Sequence, residues 1–239
     1  MKSIREFLEE VPAEVAADYR EELEKHRQVL AASPHIREVA AEYGLDAEKH
    51  TRAVSRIYDA EIEVRTISIV LRKALEDLAI IDLGCGSEGY TLVGEFEKEF
   101  LEFHRAYEPW FCRIAARMGV GKVIGVDIDG PPSDILAGTA GWTFQKADIL
   151  DRNFQQSLAQ CKNQFDVVYS QLLFGHTNPH LDCPHFRSSL GNDQTLISSK
   201  TRELINLACK IIKPEGIVFI STDNQFFDKS GNRLTLVNQ

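Results

Sequence analysis

Cysteine is scarce and poorly arranged for cross-linking. The five residues Cys85, Cys112, Cys161, Cys183 and Cys209 are odd in number and widely scattered, with no C-x-x-C pair. A disulfide framework and a zinc ribbon are both disfavoured, and reduced thiols are expected. No apolar run approaches the roughly 18 residues of a membrane span, and the opening MKSIREFLEE lacks the apolar stretch of a signal peptide. A cytoplasmic protein with no membrane partner is expected. Basic residues are also in deficit, 27 Lys and Arg against 36 Asp and Glu, for a formal charge of -9. The deficit is spread along the chain, with 12 basic against 17 acidic residues over 1–78 and 15 against 19 over 79–239. Neither part offers an evident basic face to a phosphate backbone, so nucleic acid is not an expected partner. What remains is 239 residues, 44% of them hydrophobic. A chain of that length buries roughly 70–75% of its unfolded surface and needs no covalent staple.

Residues 1–77 read as a helical cap. Ile4, Phe7, Leu8 and Val11 fall at helical spacing, and Val15, Tyr19, Leu23 and Leu30 continue the stripe past Pro12. Ser33-Pro34 supplies a cap and a first-turn proline for a helix carrying Ile36, Val39 and Ala40, with Gly44 as its stop. A longer helix is expected from near Asp46 to about Asp77, with Ile57, Val64, Ile67, Leu71 and Leu75 on its buried side.

From Leu78 the helical period gives way to short continuous apolar runs at 78–84, 122–128, 142–148, 165–170 and 216–222, which is how buried parallel strands read. Helical stretches at 108–118, 152–161 and 195–212 separate several of them. Alternation of this kind predicts an α/β fold with a doubly wound, mostly parallel sheet over 78–239, and ligands then lie beyond the carboxyl ends of the strands. Little chain follows the fifth strand, so the sheet is expected to be abbreviated. One further strand is available from Leu234-Thr235-Leu236-Val237, and the N-terminal helices or the second subunit of a homodimer would cover the edge.

The most informative stretch is Ile80-Ile81-Asp82-Leu83-Gly84-Cys85-Gly86-Ser87-Glu88-Gly89, a strand running into Gly-x-Gly-x-x-Gly. Such glycines permit a tight turn and the approach of a ligand to bare backbone. Asp127 closes the second strand, where a carboxylate can accept from both ribose hydroxyls, and Asp148 ends the third, within reach of an adenine amino group. Three acidic strand ends around one glycine turn outline a nucleoside site. Asp82, inside the strand before the glycines, sets this pattern apart from a dinucleotide fold.

The strings DLGCGSEG, VDID, ADIL, FDVVYS and IKPEGIVFI, in that order and spacing, resemble the class I S-adenosylmethionine-dependent methyltransferases over about residues 78–222. The resemblance implies a Rossmann-like methyltransferase fold and S-adenosyl-L-methionine as cofactor. It further implies that Asp82, Gly84, Cys85, Gly86 and Gly89 surround the methionine part, with Asp127 on the ribose and Ile128 beside the adenine. Asp148 and Ile149 would hold the adenine edge, and Ser170 and Gln171 would face the sulfonium. Taken singly, each aspartate also reads as a helix cap or turn residue.

Two segments depart from the family pattern. Residues 90–107, rich in Phe and Glu, are an added stretch expected to form a helix or lid. The loop after the fourth strand carries His176, His180, Cys183 and His185. His176 fits a general base, with a structural histidine as the equally weighted reading. The spacing H-x3-H-x2-C-x-H is not a standard zinc pattern, and no metal is expected. Tyr107 and Trp110 could steady a sulfonium through their ring faces, against the plainer reading of Trp110 as a packed residue at a helix start.

The expected function is methyl transfer to a small-molecule acceptor in an enclosed pocket, of the kind used in small-molecule biosynthesis. The alternative keeps the cofactor and attacks its methionine side, by aminocarboxypropyl transfer or closure to azetidine-2-carboxylate with loss of methylthioadenosine. A non-catalytic interaction module that merely retains the fold is a third reading, and the intact glycines and acidic strand ends weigh against it.

Overall fold

The computed structural model describes residues 33–86, 105–106, 108–128, 130, 141–171, 194–220 and 225–234, together with Gln28. Helix α1 spans Pro34–Glu42 with proline in its first turn, and buries Ile36, Val39 and Ala40. Ser33 makes no side-chain cap bond, so proline rather than a hydroxyl cap marks the start. Gly44, at φ 72, turns the chain out of the helix, and Leu45 N–H returns to Ala40 O.

Helix α2 runs over Thr51–Leu71, shorter at both ends than its apolar spacing predicts. At the front, Asp46 forms a side-chain turn, its Oδ1 accepting from the Glu48 and Lys49 N–H groups. At the back, Arg72 adopts a left-handed conformation, and Ser68 Oγ donates to Lys73 O at 2.7 Å. Leu75 therefore belongs to a separate 3-10 turn, Leu75–Asp77, which leads into the sheet. Among the described residues no helix is long and apolar enough to cross a membrane.

Among the described residues the sheet has seven strands in the order β3-β2-β1-β4-β5-β6-β7. They are β1 Ala79–Leu83, β2 Lys122–Asp127, β3 Trp142–Lys146, β4 Phe165–Ser170, β5 Ile212–Ile220, β6 Gln225–Phe227 and β7 Arg233–Leu234. The first five are mutually parallel, and β6 and β7 run antiparallel. The direction of winding reverses between β1 and β4, which makes the carboxyl ends of these two strands the topological switch point. Where one further strand was expected, the C-terminus forms two. Asp228 folds the intervening turn by accepting from Ser230 and Asn232 N–H, and Phe226 stacks on Phe219 with ring centroids 4.1 Å apart.

Alternation along the strands divides the core between two faces. Ile80, Val167, Tyr169, Ile217 and Phe219 share one cluster with Ile36 of α1, Ile57, Val64 and Ile67 of α2, and Ile114 of helix α3, Trp110–Arg117. Ile81, Leu83, Val168 and Val218 face helix α4, Arg152–Ala159, and helix α5, Gln194–Ile211. Each fully buried aliphatic or aromatic side chain contributes about 1.5–3 kcal/mol. The helices α1 and α2 are thus packed into the same apolar layer as the sheet. Gly121 is required where β2 begins: a Cβ there would lie 2.0 Å from Glu76 O.

Candidate active site

The chain leaves β1 in a turn fixed to the end of β2. Gly84 and Cys85 both donate their N–H groups to Val126 O, at 2.8 and 3.1 Å. Gly84 and Gly86 hold φ angles of 79 and 97, which a side chain at either position would strain. The Gly86 N–H then donates to Asp127 Oδ2 at 2.9 Å. Asp127 is itself buried, so the carboxylate that closes β2 also holds the glycine turn in place.

Asp82 lies just before this turn and is 1% exposed. Its Oδ2 accepts from the Cys112 thiol at 3.5 Å, and among the described residues its Oδ1 has no hydrogen-bond partner. Burial pushes its pKa well above the usual carboxylate value; the Cys112 bond opposes that rise, and the negative charges of Asp127 and Glu63 add to it. A buried carboxyl oxygen without a partner is costly in a folded protein and is most simply relieved by a donor from a ligand.

The other sequence-predicted positions divide by location. Asp148 is exposed beyond the end of β3 and uses Oδ1 to accept from Leu150 N–H at 2.8 Å, the turn role that any of these aspartates could have had. Ile149 is buried, whereas Ile128 is 40% exposed at the end of β2, an apolar surface suited to a planar ring. Ser170 is buried, and its hydroxyl donates to Leu83 O at 2.9 Å, tying β4 to β1. Gln171 follows it, half-buried at the same strand end. The Cys85 thiol is buried, which raises its pKa to about 11; it donates to Gly86 O at 3.6 Å, and the Cys85 N–H is taken by Val126 O. Gly89, Tyr107 and His176, with His180, Cys183 and His185, lie outside the described residues, as does nearly all of 90–107.

Trp110 is occupied by protein rather than presented to a ligand. Its indole N–H donates to Arg105 O at 2.7 Å, and the Arg113 guanidinium lies 4.5 Å from its ring centroid and 4.4 Å from that of Tyr43. Arg105 and Arg113 both bind the buried carboxylate of Glu108, and Arg105 also donates to Tyr43 O. This network fastens α1 to the start of α3.

Sequence reasoning missed one contact that reaches the strand beside Asp82. Glu63 on α2 accepts from the Tyr169 hydroxyl at 2.6 Å, a contact spanning 106 positions. Tyr169 stands opposite Asp82 in the β1/β4 register. Glu63 reads as one more solvated charge on a helix, and Tyr169 as one more apolar residue in a strand. Their only signal is that each lies on the face its neighbours use for the core.

The chain matches a family model described as a methyltransferase domain over residues 54–237. It belongs to that methyltransferase family. A comparison with curated proteins gives no match. The methyltransferase-domain match begins inside α2 and ends beyond β7, so it takes in the glycine turn, all three acidic strand ends and Glu63. Membership implies S-adenosyl-L-methionine as the methyl donor, and the residues present fit it. Gly84 and Gly86 carry no side chain and are only half-buried, their N–H groups held by Val126 O and Asp127 Oδ2, and the Asp82 oxygen left without a partner among the described residues can accept from the cationic end of that molecule.

Proposed function

We propose that the protein transfers the methyl group of S-adenosyl-L-methionine to a small-molecule acceptor. The observation that carries this reading is the unpartnered oxygen of Asp82 beside a glycine turn that Asp127 holds by the Gly86 N–H. Gly84 and Gly86 admit the ligand to the backbone, and Asp127, whose Oδ2 accepts from the Gly86 N–H, receives the ribose hydroxyls. Ile128 and Ile149 flank the adenine, with Asp148 at its edge. S-adenosyl-L-methionine, when bound, supplies an electrophilic methyl on a sulfonium. The protein's part is to hold that methyl in line with the acceptor at near-attack distance and to exclude water.

The acceptor side is assigned to the segment after β4, with His176 as the base for a hydroxyl or amine acceptor and Gln171 at its threshold. No nucleic acid or membrane is invoked, and the protein is proposed to work in the cytoplasm.

Calorimetric titration with S-adenosyl-L-methionine, followed by incubation with candidate acceptors and mass spectrometry of the nucleoside product, tests the proposal. S-adenosylhomocysteine is the expected product. Methylthioadenosine in its place would transfer the assignment to chemistry on the methionine side, and an absence of binding would leave only an interaction module.

A further inference from the structure

The start of helix α2 is buried and carries hydrogen-bond donors without acceptors. Thr51 and Ala53, in its first turn, are 2% and 0% exposed. The first bond of the helix runs from the Val54 N–H to His50 O, so the N–H groups ahead of it have no carbonyl within the helix. Among the described residues the Thr51 and Ala53 N–H groups have no acceptor elsewhere either, and the Thr51 hydroxyl is buried without a partner. Whatever its rotamer, that hydroxyl stays within about 4 Å of its own N–H, so the three donors share one end of the helix.

Both residues placed to cap this end are turned away from it. His50 stands at the cap position, yet its Nδ1 accepts from the Asp46 N–H at 2.8 Å and it makes no cap bond. Asp46 spends Oδ1 on the Glu48 and Lys49 N–H groups and Oδ2 on Lys49 Nζ at 3.0 Å. Buried, unanswered donors at the positive end of a helix favour an anion with oxygen acceptors. Three neutral donors match the two oxygens and single charge of a carboxylate; a phosphate dianion would lose more hydration than they return.

Two sets of contacts fix where this end lies. Lys73, just past the far end of α2, donates to Asp166 at the amino end of β4, and Glu63 accepts from Tyr169 near the carboxyl end of the same strand. Helix α2 therefore runs antiparallel to β4, and Thr51 stands about 18 Å further along its axis than Glu63, past the carboxyl ends of the strands. Tyr43, where α1 gives way to the loop before α2, packs edge-on against Trp110 at 5.4 Å, and the next residue of α3, Phe111, stacks on Tyr169. The start of α2 thus overhangs the side of the sheet assigned above to cofactor and acceptor.

We propose that the first turn of α2, through the Thr51 and Ala53 N–H groups and the Thr51 hydroxyl, binds a carboxylate carried by the methyl acceptor. The proposal rests on the methyl-transfer reading above and narrows the substrate to carboxylic acids methylated at an atom remote from the carboxylate. The methyltransferase-domain match begins at residue 54, so these donors lie outside what the family supplies.

The test takes the full chain, isotope-labelled for NMR and saturated with S-adenosylhomocysteine, and titrates it with sodium acetate against sodium chloride at matched ionic strength. The amide resonances of Thr51 and Ala53 are expected to move with acetate and not with chloride. Thr51→Val, which keeps the shape and loses the hydroxyl, should weaken acetate about fivefold. His50→Asp should lay a carboxylate over the same donors, raise Tm by about 2–4 °C and abolish the acetate response. Either variant serves if the other does not fold. In turnover, acceptors offered as acid and amide pairs should show a KM about tenfold lower for the acid, and Thr51→Val should raise KM for the acid alone. Unmoved resonances, an acetate affinity unchanged by Thr51→Val, or equal use of acid and amide would each overturn the proposal. A response present only without S-adenosylhomocysteine would give these donors to the cofactor and overturn the acceptor assignment. Failure to bind S-adenosylhomocysteine at all would overturn the methyl-transfer reading, and the acetate response of the free protein would then decide the anion site by itself.

Discussion

Asp166 enters the sheet at the amino end of β4, and Asp82 stands near the carboxyl end of β1; each is 1% exposed or less, yet their surroundings are opposite. Asp166 receives Lys73 Nζ at 2.6 Å on Oδ1, and Lys213 Nζ and the Ala79 N–H on Oδ2, both at 2.8 Å. Among the described residues Asp82 receives one weak thiol donor and has an oxygen left over. Burial alone would raise both pKa values. At Asp166 the bonds from Lys213 and Lys73 outweigh it and the value falls; at Asp82 nothing does, and the value rises. The buried carboxylate at the amino end of the sheet is saturated, and the one at the carboxyl end, among the described residues, is not. A saturated buried charge maintains a fold, whereas an unsaturated one marks a place where stability has been given up for binding.

The sharpest way to break this contrast is to remove each carboxylate. Asp166→Ala should lower stability by about 3 kcal/mol, because it strands the Ala79 N–H and two lysines that are only a third exposed. Denaturant unfolding measures this loss, and affinity for S-adenosyl-L-methionine should not move. Any large loss of affinity there would dissolve the distinction between the two ends. Asp127→Ala should do the reverse, weakening the cofactor by about 2 kcal/mol, or roughly thirtyfold, at a smaller cost in unfolding free energy. Unaltered calorimetric affinity would remove the ribose role.

Asp82→Asn tests the sign of the smaller effect. A folded-state pKa raised above the ordinary 3.8 gives stability that is complete at low pH and is lost as pH rises through the folded value. The variant should therefore gain on the unchanged protein as pH climbs from about 4 toward neutrality, reaching about 1 kcal/mol in the ligand-free state while binding the cofactor less well. Asp166, with its pKa lowered, behaves oppositely, and its contribution is lost as pH falls through its folded value. Unfolding curves at several pH values separate the two, and a Asp82→Asn variant no more stable at pH 7 than at pH 4, relative to the unchanged protein, would contradict the assignment.

Much of this arrangement is legible in the amino-acid sequence. Four of the five parallel strands are read from apolar runs because both faces of a doubly wound sheet are buried around them, whereas β3 at the edge buries only Trp142; Asp82, Gly84, Gly86 and Asp127 are legible because a strand, a tight turn and an acidic strand end each leave a local mark. Strand β6 was not, since Gln225-Phe226-Phe227 is three residues long among polar neighbours, and only Phe219 across the sheet makes Phe226 a core residue. The end of α2 was missed because apolar spacing continues through Leu75 while the backbone at Arg72 has already turned left-handed. The pairing of Glu63 with Tyr169 is invisible to any window, being a product of how α2 crosses the sheet.

Gly125, in the middle of β2, links three side chains that never adjoin in sequence. A methyl group there would come within 2.9 Å of Cys85 Sγ and 3.0 Å of both Cys112 Sγ and Trp142 Cζ3. These four positions divide one fixed volume directly under the glycine turn. Any descendant of this chain that enlarges residue 125 must shrink residue 85, 112 or 142 in compensation, so substitutions at these sites should travel together.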